Sequence, residues 1–362
     1  MYLKNIRIAN FKNIEEKHLE FSQGINCFLG NNGVGKTNLL DAIYFLCIGK
    51  SYLNHSDLLN LRFDQDFLSV SGLYFHQNED EISEDLVFCG FQKGAKKTIK
   101  KNGKAYSRIS DHLGSFPVVM ISPYDRDLIM EGSEGRRKFV DNIICQSKED
   151  YLRILLRYNK CLAQRNALLK YFFANQTFDQ ANLSVYNQTL AELGEEIKKR
   201  REEFLEEFLP LFKDFYAKIS SSKEEVALKY KPSVSGDLLE AINESTVLDR
   251  KLQYTTCGVH KDDFEFEIQD RSIKKYGSQG QQKSFLVALK LAKLALMKIH
   301  LKKTPILLLD DIFDKLDQNR VEEMIKMVNQ DSFGQIFISD THLERTQNLV
   351  EKISAESKVF HL

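Results

Sequence analysis

A chain of 362 residues with 51 Lys+Arg against 51 Asp+Glu carries no formal net charge, so no global field draws it to nucleic acid or to an anionic membrane, and DNA contact would need a local basic patch. Its length is sufficient for about two domains with substantial cores. The six cysteines, Cys27, Cys47, Cys89, Cys145, Cys161 and Cys257, include no C-x-x-C pair, which argues against a disulfide framework or a zinc site and reads as buried thiols in a reducing compartment.

The opening MYLKNIRIANFKNI lacks the apolar core of a signal peptide, and no segment approaches a membrane-spanning run, so a soluble, cytoplasmic protein is expected. Leu3, Ile6, Ile8 and Phe11 among polar residues predict a half-buried strand, and GINCFLG predicts a buried strand ending in glycine. Leu39, Leu40, Ile43 and Leu46 then recur at helical spacing, so the glycine-rich segment before them joins a strand to a helix N-terminus. Residues 67–122 read as a meander of short strands with a hairpin turn at Asn102-Gly103.

From about residue 147 the period changes. Leu155, Leu162 and Leu169 are seven apart, with Leu152, Asn159 and Asn166 in the other seam position. Leu183, Leu190, Ile197 and Phe204 repeat the spacing, with Leu193 between them, until Pro210 limits the run. With a reversal at YFFANQTFDQAN this predicts an antiparallel helical hairpin; two ordinary amphipathic core helices satisfy the same pattern. The last third returns to α/β: a helix over 281–300, a buried strand from Ile306, a helix after Asn319 and a strand from Gln335.

Chemistry concentrates at GNNGVGKT, that is Gly30, Asn31, Asn32, Gly33, Val34, Gly35, Lys36 and Thr37, which fits G-x-x-x-x-G-K-[ST] between a strand and a helix. Such glycines let backbone N–H groups wrap phosphates, Lys36 reaches the β and γ phosphates of ATP, Thr37 ligates Mg²⁺, and the helix dipole favours the anion. The apolar run from Ile306 ends in Asp310 and Asp311, as a strand does that presents one carboxylate to magnesium and a second to the attacking water. Asp310 is the metal candidate and Asp311 the water-polarising one. Alone, that pair would be better read as a buried strand ending in an acidic turn.

Between these motifs lies YGSQGQQKS, residues 276–284, opening a helix. It resembles the signature motif of the ATP-binding-cassette ATPases, which include the SMC, double-strand-break repair and RecF branches. In that class the motif contacts the γ-phosphate held by another subunit, so the resemblance implies that Ser278, Gly280 and Gln281 complete a partner's nucleotide site. Residues 314–317, DKLD, match the loop after the metal-binding strand and bring Asp317 to the nucleotide, and His342 falls where a switch histidine would act. Where most of the class carries Glu this chain has Asp311, which implies slow hydrolysis. NFKNI, SPYDRDLIMEGSEGRRKFVD and TTCGVHKDDFEF are similar to three blocks of the RecF family, and the likeness covers almost the whole chain. Departures are Lys12 for the usual Arg, GKSYLN without an Arg-Thr ending, and Val259 for Pro; Lys keeps the charge at 12 but loses the planar fork.

The resemblance implies an α/β fold: a P-loop ATPase head of the ATP-binding-cassette type, with a mixed sheet and a parallel core sheet, from residues 1–125 and 251–362, and a helical second lobe with an antiparallel hairpin inserted at 126–250. It further implies a weak, DNA-stimulated, cytoplasmic and nucleoid-associated ATPase of replication, recombination and the SOS response. ATP-dependent homodimers would bind double-stranded DNA and single-strand/double-strand junctions, acting with RecR and RecO to load RecA. Three basic clusters are candidates for the phosphate backbone: Lys93, Lys96, Lys97, Lys100, Lys101, Lys104 and Arg108 around the hairpin; Arg136, Arg137 and Lys138; and residues 198–201. Each reads equally as a solvated face. His260, Lys261, Asp262 and Asp263 form a local cluster read as structural or ATP-gating. An ATP-dependent DNA nuclease and an SMC-like DNA tether stand as alternatives; the first needs an acidic metal-binding domain and the second a longer coiled coil. A transporter ATPase would share the nucleotide motifs but not the RecF-like blocks.

Overall fold

The computed structural model describes residues 1–54, 56–77, 82–220, 224–311, 334–341 and 356–362, apart from the side chain of Glu149. They fall into two compact units, one of Met1–Arg126, Asp214–Lys223 and Gln279–Leu362, the other of Asp127–Lys213 and Glu224–Ser278. The second unit thus runs on to Ser278 and takes in strands as well as helices.

Along the chain the first unit begins with strands β1 (Tyr2–Phe11), β2 (Ile14–Glu20) and β3 (Ile25–Leu29), helix α1 (Lys36–Ile48), then β4 (Phe67–Gln77), β5 (Ile82–Gln92), β6 (Thr98–Lys101), β7 (Lys104–Ala105) and β8 (Val118–Ile121). Next come α2 (Asp127–Met130), α3 (Ser133–Ser147), α4 (Glu149–Ala174), α5 (Gln180–Ser220), β9 (Val226–Lys231), α6 (Leu238–Glu244), α7 (Thr246–Leu252), β10 (Asp263–Ile268), β11 (Arg271–Ser272) and α8 (Ile273–Tyr276). The chain closes with α9 (Gln279–Leu301), β12 (Ile306–Asp310), β13 (Ile336–Asp340) and β14 (Ser357–His361). The helix expected after Asn319 lies outside the described residues.

Two sheets build the first unit. One has the order β2-β1-β4-β5-β6-β7 and is antiparallel throughout; the other, β14-β3-β13-β12-β8, is parallel throughout. A register shift between Leu3 and Asn5 explains how Leu3 and Ile6, three apart, are both buried in a strand whose faces otherwise alternate every residue. In β3, β12 and β13 every residue is buried, as a parallel sheet covered on both faces requires. Between the sheets lies α1, which packs against β1 and β4 of one and β12 and β13 of the other. It is accordingly apolar nearly all round, with its residues buried from Leu39 to Ile48. Gln335 ties the sheets together: its amide accepts from Leu3 N at 2.8 Å and donates to Leu3 O at 2.8 Å and Ser22 O at 2.7 Å. At the expected hairpin Asn102 and Gly103 have φ of 50° and 80°, the two left-handed residues of a type I′ turn.

In the second unit the hairpin helices are α4 and α5, but the seam of α4 is not the leucine heptad. Leu155 and Leu162 are only half-buried and Asn159 is exposed, whereas Tyr151, Tyr158, Arg165 and Phe172, also seven apart, are buried with Leu169 and Cys161. Hydropathy gives tyrosine and arginine little weight, yet their long apolar bodies fill a seam when the polar tip finds a partner. On α5, Leu183, Leu190, Leu193, Ile197 and Phe204 are buried as expected. Pro210, expected to limit that helix, is inside it. A proline costs one hydrogen bond and crowds the carbonyl four residues back, and buried Phe204, Phe208 and Phe212 on either side hold the helix through it.

Asp262 and its neighbours form a structural hub. Asp262 accepts from Arg201, from Tyr230 OH and, at 2.7 Å, from Ser233 N; Asp263 pairs with Arg136 at 2.8 Å. His260 accepts from Tyr158 OH at Nδ1 (2.8 Å) and donates from Nε2 to Thr255 O (3.1 Å), which fixes the neutral tautomer. Burial is the main cause that lowers its pKa to about 4. The unfolded chain, with an ordinary histidine, therefore takes up a proton that the folded chain refuses between about pH 6.5 and pH 4, so stability falls as pH falls through that window. Urea unfolding of the wild-type chain and of His260→Gln at neutral and mildly acid pH checks this. The variant is expected to lose less stability on acidification, and equal pH slopes would remove His260 as the cause.

Candidate functional site

The loop between β3 and α1 leaves the C-terminal edge of the parallel sheet. Gly33 and Gly35 have φ of 87° and 104°, so position 35 requires glycine for its backbone, and a Cβ there, 2.6 Å from Asn13 Nδ2, would also displace that side chain. No side chain caps α1, which leaves the first N–H groups of a helix directed at whatever anion the loop encloses. Lys36 Nζ donates to the carbonyls of Gly30 at 2.7 Å and Asn31 at 3.0 Å, holding its ammonium within the loop. Val34 is 40% exposed at the rim.

Three segments distant in the chain converge on Asp310. Thr37 Oγ1 donates to its Oδ1 at 2.9 Å, Ser339 Oγ on β13 to the same oxygen at 2.7 Å, and Ser122 Oγ, just past β8, to Oδ2 at 3.4 Å. Burial pushes the Asp310 carboxyl above the ordinary range, against the hydrogen bonds from Ser339, Thr37 and Ser122 and the charge of Lys36. Asp311 follows with φ 51°, its N–H shared between Ser339 Oγ and O at 3.1 and 3.3 Å. Asn32, Gly33, Gly35, Lys36, Thr37, Asn38, Asp310, Asp311 and Ser339 line one cleft. A hydroxyl and a carboxylate this close supply the hard oxygen donors that suit Mg²⁺, and the Gly35 geometry and Lys36 suit a polyphosphate.

The elements around the loop are fixed by buried polar pairs. Lys12 Nζ meets Asp41 Oδ2 at 2.5 Å, and the same carboxylate accepts from Ser51 Oγ and Tyr52 N, both at 2.6 Å. The two segments that depart from the family pattern, NFKNI and GKSYLN, thus meet on one residue of α1, and Lys12 serves as an ion-pair partner that needs no planar fork. Asn13, next to Lys12, accepts from Asn38 Nδ2 at 2.8 Å. Tyr52 OH donates to Asp125, whose other oxygen accepts from Ser122 N at 2.8 Å, and Lys290 of α9 pairs with Asp125 at 2.6 Å.

Ser278 is exposed immediately before α9, and Gly280 and Gln281 are half-buried in its first turn; Gly280 and Gln281 do not line the cleft. Asp317, with the rest of 314–317, and His342 lie outside the described residues. Ser339, Ser122, Asn38 and Asn13 were not legible as site residues, because a single Ser or Asn carries no spacing signal. Of the basic clusters, Lys97 pairs with Asp57 and Lys101 with Asp85, both at 2.8 Å, while Lys96, Lys100, Lys104 and Arg108 are exposed. Arg136, Arg137 and Arg201 serve the second unit's own packing, and Lys138 and Arg200 pair with Glu134 and Glu196. Of the six cysteines four are buried, and Cys145 and Cys257 are half-buried. No helix among the described residues is long and apolar enough to cross a membrane.

Residues 2–361 match the family model of the RecF/RecN/SMC N terminal domain. The chain is 49% identical over 363 residues to the DNA replication and repair protein RecF of Flavobacterium johnsoniae, with all of both chains covered. It is 46% identical to that of Bacteroides thetaiotaomicron, over 100% of this chain and 97% of the relative. Among solved structures it resembles the recombination mediator protein RecF of the RecFOR pathway in its RecF-ATP form, with a TM-score of 0.87 and 33% identity over 94% of this chain and 92% of that one. An Smc head bound to a ScpA domain, at 18% identity and a TM-score of 0.56 over 97% of this chain and 92% of that one, shares the fold. With the phosphate loop, the acidic strand end and two sheets around α1 in place, the chain belongs to the RecF family, in the group of ATP-binding-cassette-type heads that also holds the SMC proteins.

Proposed function

We propose that this chain binds ATP with Mg²⁺ in the cleft at Lys36 and Asp310 and uses it as an assembly ligand in recombinational DNA repair. The observation that carries the reading is one cleft lined by Lys36, Thr37 and Asp310, in which Thr37 bonds to Asp310 and Lys36 to the carbonyls of a glycine loop whose backbone is left accessible. The backbone of residues 30–37 and Lys36 hold the phosphates, Thr37 and Asp310 hold the metal, and Asp311 orients the attacking water. The bound metal neutralises charge that develops on the phosphates. Ser278, Gly280 and Gln281 at the start of α9 close on the nucleotide of a second copy, joined by Asp317 and His342. The head corresponds to the first compact unit and the inserted lobe to the second, which moves the lobe's expected end at 250 to Ser278.

Two copies so joined clamp double-stranded DNA near a single-strand gap or junction, with the exposed part of the hairpin cluster at Lys96, Lys100 and Lys104 against phosphate. RecR, and through it RecO, is recruited there, and RecA is loaded on strand covered by single-strand-binding protein. Hydrolysis, stimulated weakly by DNA, releases the clamp, and the work is done in the cytoplasm at the nucleoid as part of the SOS response. Support comes from the relatives' name, DNA replication and repair protein RecF, and from the RecF-ATP structure of the RecFOR pathway.

The test is binding to gapped duplex, blunt duplex and single strand, each with ATP, ADP or no nucleotide, at a stated salt concentration. ATP-dependent binding to gapped or blunt duplex without cleavage supports the reading; nucleotide-independent binding or strand cleavage sinks it. Asp311→Asn separates the two uses of the nucleotide. Its amide cannot take a proton from water, so single-turnover hydrolysis is expected to fall by about 10²-fold or more, while ATP-dependent assembly, followed by sedimentation, persists.

A further inference from the structure

At the tip of the helical hairpin the second unit carries a groove that serves none of the chemistry above. Its floor is Leu169 and Phe172 at the end of α4, and its walls are Phe178, from the reversal, and Val247 of α7. Arg250 and Lys251 of α7 form the rim. Phe178 and Val247 are 38% and 65% exposed, and the neighbouring Phe173 is 53% exposed. A concave site lined by apolar and aromatic side chains with a few polar groups at its edge is the usual form of a binding site.

The groove is built before anything enters it. Gln176 takes a left-handed φ of 54°, and Thr177 N returns to Phe172 O at 3.1 Å, a closed helix end that fixes the reversal. Asp179 Oδ1 accepts from Asn182 N at 3.0 Å and starts α5. The far wall is locked to α4 by the fully buried pair of Arg165 and Asp249 at 2.7 Å, with further bonds from Arg165 Nη1 to Thr255 Oγ1 and from Nε to Asn187 Oδ1. Arg250 stacks on Phe178 with 3.8 Å from guanidinium carbon to ring centroid. Walls fixed in advance lose little entropy on binding.

Charge decides the occupant. Among the described residues no carboxylate lines the groove: the one acidic side chain nearby on α7, Asp249, is turned inward to Arg165, Thr256 and Ser245. What remains is a trough of apolar side chains with the uncharged Gln176 and Thr177 and a two-cation rim. We propose that this groove docks a short acidic peptide segment of a partner protein, one that places a bulky apolar anchor between Leu169, Phe172 and Val247 and its carboxylates on Arg250 and Lys251. Single-stranded nucleic acid fits less well, because it asks for a line of cations along its backbone and open aromatic faces, whereas here two cations form the rim, Phe172 is buried and Arg250 covers the face of Phe178. The proposal stands apart from the nucleotide reading, since the groove and its walls lie wholly within the second unit.

The test uses the full chain and fluorescence anisotropy with synthetic peptides of about 12 residues, long enough for a helix or strand to lie in a groove. One panel carries Phe and Leu anchors at three- and four-residue spacing among Asp and Glu. Its controls exchange the acids for Lys or the anchors for Ser, and a fluorescent oligothymidylate is the nucleic-acid arm. Acidic anchored peptides are expected to bind, both controls to fail, and Lys251→Glu and Val247→Asp to weaken binding by about tenfold or more, as loss of a central interface contact does. Val247 is exposed, so Val247→Asp with unchanged thermal unfolding keeps the comparison fair if a rim variant misfolds. No binding by any acidic peptide, equal binding of the Lys series, tighter binding of the oligonucleotide, or full affinity in folded Val247→Asp would each overturn the proposal.

Discussion

Lys36→Ala is expected to abolish the ATP-dependent increase in sedimentation coefficient. Lys36 is 7% exposed, and its ammonium already lies among the loop carbonyls of Gly30 and Asn31, where a polyphosphate on the helix end would meet it. Each charge-assisted hydrogen bond lost costs about 1.5–3 kcal/mol. Two such bonds weaken ATP binding by at least roughly a hundredfold, enough to empty the site at ordinary nucleotide concentrations. Assembly through that nucleotide is lost with it, because a ligand shared between two copies stabilises the dimer only while it is bound. Lys36→Arg keeps the charge but replaces a compact point donor with a wider planar fork, so partial recovery is expected. A Lys36→Ala chain that binds ATP with wild-type affinity would remove the cleft as the nucleotide site. One that binds ATP weakly yet still dimerises on saturation would leave the site but place Lys36 outside the assembly step.

Arg201→Ala is expected to carry the largest effect on stability. The guanidinium, 2% exposed, holds Asp141 with a two-pronged bond (3.0 and 2.9 Å), Asp262 at 3.1 Å and the Val259 carbonyl at 2.9 Å. Burial disfavours its charge, but Asp141 outweighs this and holds its proton more tightly than an ordinary arginine does. Truncation leaves two carboxylates without their counter-ion, and breaking a buried pair in this way costs about 3–5 kcal/mol. In a two-unit chain a single unfolding midpoint mixes events, so the sharper measurement is amide exchange within α5. Protection there should fall by roughly a hundredfold to a few thousandfold, while amides of β3 and β12 change much less. Arg201→Lys restores charge without the fork and recovers part of the loss. Unchanged protection in α5 would show that Asp141 and Asp262 find other partners.

Features that depend on local sequence were legible from it. A G-x-x-x-x-G-K-[ST] segment between a buried five-residue strand and a helix that is apolar nearly all round has one structural outcome, because glycine takes left-handed turns without steric cost and a helix buried on nearly every side lacks a polar face. The strand ends at Asp310, the Asn102-Gly103 turn and the buried stripe of α5 followed from spacing in the same way. What depended on distant neighbours did not. Ser339 and Ser122 are site residues only because β13 and β8 flank β12 in the parallel sheet, an order set by crossovers that no local period records. The seam of α4 went to Tyr151, Tyr158 and Arg165 in place of leucines because partners from other elements take their polar ends: Asp141 of α3 for Tyr151, His260 for Tyr158 and Asp249 of α7 for Arg165. Proline at 210 was tolerated because the phenylalanines beside it are buried. Several basic residues read as candidates for DNA proved to be ion-pair partners of carboxylates from other segments. From the residues alone came the glycine loop before α1, the acidic end of β12 and the family. Tertiary structure decided which polar residues are buried with partners and which face solvent, since that balance is set by long-range pairing and not by the residue's own preference.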